Sequence, residues 1–136
     1  MTRVLGVDLG TVRVGLAVSD PEGILAQPLD VIPRDNAELE VAERAAHLEV
    51  AEIVVGMPIT MDGTRGHAAQ TAEAFAAELE VRTGLPVARW DERLSTKEAE
   101  RAMRATGKSA KQQRGMVDKI AAALILQSFL DSRRTE

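Results

Sequence analysis

Hydrophobic positions come first in short runs and later in helical stripes. Residues 3–9 are apolar apart from Arg3 and Asp8 and predict a strand. Residues 13–19, Arg-Val-Gly-Leu-Ala-Val-Ser, predict a second, and the three residues between suit a hairpin. Asp20-Pro21-Glu22-Gly23 has turn composition, and residues 24–32 hold a third strand weakened by Pro28. Asp35 or Asn36 caps a helix to about Glu49, with Glu38 placed for a capping box and Leu39, Ala42, Ala45, Ala46 and Glu49 along one face. Residues 52–56 predict a buried strand, ended by Met57-Pro58 and a glycine-bearing loop over 61–66. Residues 68–82 predict a helix with Ala69, Ala72, Phe75, Ala76 and Leu79 on its apolar stripe, closed by Gly84 and Pro86. Val87 to Trp90 predicts another strand, and Ser95, with Glu98 three residues on, caps a helix ending near Gly107. Residues 107–115 predict a basic mobile loop, and 117–130 a last helix with Val117, Ile120, Ala121, Leu124 and Ile125 inward.

Three leading strands followed by alternating helix and strand predict a mixed α/β sheet covered by helices on both faces. At 136 residues the chain reads as one domain, 1–136.

Carboxylates stand where this pattern makes them costly. Asp8 interrupts an apolar strand, and Gly6 and Gly10 beside it allow other backbone or a ligand to come close. A lone buried carboxylate needs a partner or a metal, although a strand-end or turn-capping acid is the plainer alternative. Asp91 and Glu92 end another strand, where open α/β sheets form their sites, or make surface ion pairs with Arg89 or Arg93. Asp118 opens the last helix beside small alanines, or serves there as a helix-dipole acid. Three carboxylates converging from separate elements suit one or two hard divalent cations, Mg²⁺ or Mn²⁺. Such a site can activate water and stabilise the departing oxygen of a phosphodiester.

Charge and composition narrow the choices. There is no Cys, which excludes a disulfide scaffold and thiolate chemistry, and the two histidines, His47 and His67, read as surface residues. No apolar run approaches the ~20 residues of a membrane span, and the N-terminal residues lack a signal-peptide core. A cytoplasmic protein without a membrane partner is expected. The net charge of −4 argues mildly against nucleic acid. Yet Arg101, Arg104, Lys108, Lys111 and Arg114 form an acid-free stretch before Asp118, suited either to solvent or to a phosphate backbone.

Gly6-Val7-Asp8-Leu9-Gly10-Thr11-Val12-Arg13-Val14-Gly15 resembles the opening motif of the YqgF/RuvX family. Ile53-Val54-Val55-Gly56-Met57-Pro58 with Met61-Asp62-Gly63, then Asp91-Glu92-Arg93-Leu94-Ser95-Thr96, and Val117-Asp118-Lys119-Ile120-Ala121-Ala122 resemble its later motifs, in family order. The resemblance implies a ribonuclease H-like fold, a five-stranded mixed sheet flanked by helices and similar to that of RuvC. It implies a nuclease for the 5′ end of pre-16S ribosomal RNA, in ribosome biogenesis, or a Holliday-junction resolvase acting on four-way DNA. By motif match Asp8, Glu92 and Asp118 carry over as the catalytic, metal-binding acids for two Mg²⁺ or Mn²⁺ ions, with Asp91 the alternative to Glu92. Thr11, Arg13, Arg93 and Thr96 fall on motif positions that line the site. Structured RNA or branched DNA is the expected partner, with the chain a monomer or homodimer.

Two other classes compete. Gly6-Val7-Asp8-Leu9-Gly10-Thr11 also resembles the first phosphate loop of actin-like and sugar-kinase-like ATPases, but one domain lacks the second half of their cleft, and ATP affinity would discriminate. A non-catalytic nucleic-acid-binding assembly adaptor would keep the fold without cleavage.

Overall fold

The computed structural model describes residues 3–58, 66–94 and 110–134, with positions 94, 110–117 and 134 described by backbone alone. Strands β1 (Val4–Leu9), β2 (Arg13–Ser19) and β3 (Ala26–Pro33) come first. Helix α1 (Ala37–His47), β4 (Glu52–Met57), α2 (His67–Thr83) and β5 (Val87–Asp91) follow. A 3₁₀ turn, Glu92–Leu94, leaves β5, and α3 spans Ala110–Arg134. The five strands form one sheet in the order β3-β2-β1-β4-β5. β1, β2 and β3 pair antiparallel, whereas β1, β4 and β5 run parallel. β3 tolerates Pro28 and Pro33 because it is an edge strand, with the register shifting opposite Leu16 and Ala17.

Strand alternation splits the core into two layers. Leu5, Val7, Val14, Leu16, Ile53, Val55 and Met57 pack under α1 and α2. Val4, Ala17 and Val54 face the other way, under Ala122, Leu126, Phe129 and Leu130 of α3. The far end of α3 is anchored over β5 and β4: Trp90 Nε1 donates to Ser128 Oγ at 3.1 Å, and the Trp90 and Phe129 rings meet edge to face at 5.7 Å. Arg133 lies over Phe129 and reaches Glu52 Oε2 at 2.5 Å. Gln127 ties α3 to the approach to β3, accepting from Ala26 N and donating to the Ile24 carbonyl.

Several sequence expectations need correction. α1 begins behind Asn36 in a left-handed conformation (φ 58°) without a side-chain cap, so the Asp35–Glu38 box does not form. Its buried stripe is Ala37, Val41 and Ala45, one residue per helical turn, which leaves Leu39 and Ala46 outside. α1 ends at His47 because Glu49 turns to positive φ. α3 starts at Ala110 rather than 117, so residues 110–115 are helical rather than loop; Ala110, Lys111, Gln112, Gln113 and Arg114 are good helix formers. Its inward residues include Ala122, Ile125, Leu126 and Phe129, and Ile120, Ala121 and Leu124 are only partly covered. The stripe of α2 is as expected, all five residues being buried.

Candidate active site

The carboxyl ends of parallel β1, β4 and β5 lie side by side on the α3 face, and the sequence places an acid at two of them. Asp8 alternates with Val4 and Gly6 onto that face and stands opposite Gly15 of β2. Glu92 follows β5 and lies over Gly56 of β4, where a Cβ would come within 2.9 Å of the Glu92 Cγ and 2.7 Å of Ile125. Asp118 enters from α3. A Cβ on Gly15 would collide with the Asp118 main-chain carbonyl, so only glycine lets the helix approach β2 this closely. Gly6 meets Leu126 in the same way, at 2.9 Å. Close approach, expected from sequence at Gly6 and Gly10, extends to Gly15 and Gly56, whose period-two placement on the face opposite Leu16 and Val55 is the sequence signal for it.

These acids feel one another. Burial first, and the charge of Asp118 second, push the Asp8 carboxyl up to about 6. Burial, then the charges of Asp8 and Asp91, push Glu92 up to about 7. Among the described residues no cation pairs with Asp8. Asp118 is engaged by Arg13, whose Nε donates to Oδ2 at 2.5 Å. Beside the Arg13–Asp118 pair opens a cleft of about 260 Å³, lined by Gly10, Thr11, Val12, Arg13 and Asp118 and not by Asp8 or Glu92.

Asp91 behaves differently from its neighbour. The Arg93 amide, Nε and Nη2 all donate to its carboxylate, and the guanidinium bonding holds Asp91 below the ordinary range. Arg93 is thus turned onto Asp91. Thr96, Arg101, Arg104 and Lys108 lie outside the described residues, and Lys111 and Arg114 ride the first turns of α3. Both histidines are exposed.

Asp8 and Glu92 supply hard oxygen donors whose mutual repulsion a divalent cation would relieve, so the donor set fits Mg²⁺ or Mn²⁺ in kind. Among the described residues no three Asp, Glu or His side chains stand close enough to share one ion, Asp118 being held by Arg13.

The model of one protein family, described as "RuvX: Holliday junction resolvase", matches residues 2–132. The chain belongs to this family. A RuvX relative from Anaeromyxobacter dehalogenans (strain 2CP-1), named "Putative pre-16S rRNA nuclease", is 52% identical over 134 residues, covering 96% of this chain and 98% of that one. Another with the same name, from Geobacillus kaustophilus, is 47% identical over 137 residues, covering 97% and 99%. Among solved structures, Thermus thermophilus RuvC in complex with a Holliday-junction substrate superposes at TM-score 0.58 with 18% identity, covering 98% of this chain and 96% of that one. A second structure of Thermus thermophilus RuvC gives TM-score 0.59 at 16% identity, with the same coverage. RuvX therefore shares the ribonuclease H-like architecture of RuvC, the five-stranded mixed sheet expected from its motifs.

Proposed function

We propose that this RuvX chain is an endonuclease that hydrolyses phosphodiester bonds in structured RNA, acting on the 5′ end of pre-16S rRNA in the cytoplasm. The observation that carries the reading is the pair Asp8 and Glu92, desolvated carboxyls at the ends of β1 and β5 on either side of β4, with Asp118 close enough to raise Asp8 further. The names of the curated relatives support RNA as the substrate. Four-way DNA is the second reading, favoured by the family's description.

Asp8 and Glu92 would hold the metal, Asp118 would complete the set on release from Arg13 and movement toward them, and two ions would be bound in all. Bound there, Mg²⁺ or Mn²⁺ supplies Lewis-acid polarisation of the phosphoryl oxygen and lowers the pKa of water. The chain's own residues do the rest. Glu92, whose carboxyl burial and the neighbouring acids raise to about 7 in the metal-free site, would give up its proton to serve as a carboxylate donor. Arg13 orients Asp118 and sets a positive charge in the cleft where a phosphate would enter. The basic residues Arg101, Arg104, Lys108, Lys111 and Arg114 would hold the backbone, through contacts that release counterions.

The test is cleavage of a pre-rRNA leader and of a four-way junction with Mg²⁺ or Mn²⁺, comparing the natural chain with Asp8→Asn. Cleavage of the leader that is lost in Asp8→Asn is expected. Cutting of the junction alone would favour the second reading. A folded, RNA-binding chain that cuts neither would leave the adaptor reading standing.

A further inference from the structure

A second concavity of about 270 Å³ lies across the Gly10–Thr11 turn from the Arg13–Asp118 cleft, and both are lined by those two residues. Its other walls come from the end of β1, the residue following β3 and the first turns of α2. Leu9 and Ala68 make the apolar part, and Thr11, Arg34, His67 and Thr71 bring the polar groups. That mixture, mostly apolar with a few converging polar groups, suits a small organic ligand better than a bare anion.

The polar groups are specific about what they can meet. Arg34 is held in place, its guanidinium 5.3 Å from the Phe75 ring centre and 3.6 Å from Glu38, and its amide bonds the Val12 carbonyl beside the turn. Among the described residues the lining contains no carboxylate, and a phosphate there faces the Arg34 cation. Thr71 Oγ1 donates to the His67 carbonyl at 3.0 Å, which leaves its oxygen to accept from a ligand. A nucleotide meets all three requirements, with its phosphate for Arg34, a sugar or base donor for Thr71 and a flat body for the apolar walls.

We propose that this pocket holds one nucleotide of the substrate strand, its phosphate toward Arg34 and its sugar or base against Leu9, Ala68 and Thr71, across the Gly10–Thr11 turn from the Arg13–Asp118 cleft. The proposal rests on the nucleic-acid reading of the site, and it extends that reading from a point of cleavage to a second contact. Because the two concavities share the Gly10–Thr11 turn, one strand can lie across both. The turn itself is fixed by the Gly10 amide bonding the Arg13 carbonyl at 2.9 Å.

The test measures binding, not cleavage, so it stands apart from the nuclease assay. Amide chemical shifts of the full chain are followed during titration with adenosine 5′-monophosphate, adenosine, and inorganic phosphate. The monophosphate should move the amides of Leu9, Thr11, Ala68 and Thr71, and bind more tightly than either fragment. Ala68→Trp fills the pocket from an exposed helix position and should weaken the monophosphate by at least about tenfold, with the fold unchanged by circular dichroism. Arg34→Gln should weaken the monophosphate and leave adenosine nearly unaffected. Shifts clustered elsewhere, indifference to Ala68→Trp, or equal affinity for inorganic phosphate and the monophosphate would overturn the proposal. A chain that binds the monophosphate here yet cuts no nucleic acid would keep the pocket and remove the nuclease reading.

Discussion

The Arg13 guanidinium, at the start of β2, donates its Nε hydrogen to the carboxylate of Asp118 on α3, 105 residues away. Strand and helix thereby meet through a charge pair that lines the cleft at the Gly10–Thr11 turn. Arg13 is 44% exposed and Asp118 21% exposed, so the pair itself adds little to stability.

Arg13→Gln should therefore change stability by under about 1 kcal/mol while lowering kcat/KM about tenfold. The loss should fall mainly on KM, since Arg13 faces the cleft. Thermal melting alongside steady-state cleavage checks both halves. A large fall in melting temperature would show instead that the pair is structural.

The two raised carboxyls predict a pH dependence of folding. Asp8 rises from an ordinary 3.8 to about 6 and Glu92 from 4.5 to about 7. The folded chain binds these protons more tightly than the unfolded one. Without divalent ions, stability is highest below about pH 4 with respect to these groups and falls as pH rises to about 7. The loss is on the order of 3 kcal/mol for each group. Glu92→Gln should flatten this fall in chelator-treated protein. Mg²⁺ added at pH 8 should raise the melting temperature of the natural chain more than that of the variant.

Gly15→Ala places a methyl group against the Asp118 carbonyl. It should cost about 1–3 kcal/mol and abolish cleavage, because the helix must back away from β2. Denaturant unfolding gives the first number. An active Gly15→Ala of natural stability would mean that the close approach is not required.

The neighbours Asp91 and Glu92 should separate cleanly. Asp91→Asn loosens its pairing with Arg93 and removes the smallest of the effects that raise Glu92, and should keep at least about a third of kcat. Glu92→Gln removes the carboxylate donor beside Asp8 and should lower kcat at least about a hundredfold. The same cleavage assay on both variants decides the assignment.

How much of this was readable beforehand differs between elements for physical reasons. Asp8 interrupts an apolar strand, yet its position alone also suits a strand-end or turn-capping acid, and Glu92 was singled out from Asp91 by motif resemblance, since a surface ion pair explains either acid locally. The α2 stripe was readable because polar residues separate its apolar ones. Helix α3 was not, because residues 120–126, Ile-Ala-Ala-Ala-Leu-Ile-Leu, are apolar all round and periodicity admits more than one inward face. The choice is made by Gly6 and Gly15, which leave room only beneath Ala122, Leu126 and the Asp118 turn. Such a contact between distant segments is invisible in local pattern. The face of α1 was misread for a related reason: Ala42, Ala45 and Ala46 carry little hydrophobic bias, and packing selects Val41 over Leu39.

Helix α3 has 25 residues, about 38 Å of continuous rod, with Asp118 a third of the way along it and Arg133 near its C-terminal end. Its layer is the smaller of the two cores among the described residues. Opening of that layer would carry Asp118 away and leave Asp8 and Glu92 behind in a sheet still braced by α1 and α2. The acidic constellation is thus a property of a docked helix: it is assembled and dismantled in one motion, and its lifetime is that of the α3 contact, down to the Trp90–Phe129 and Arg133–Glu52 clamps at the far edge.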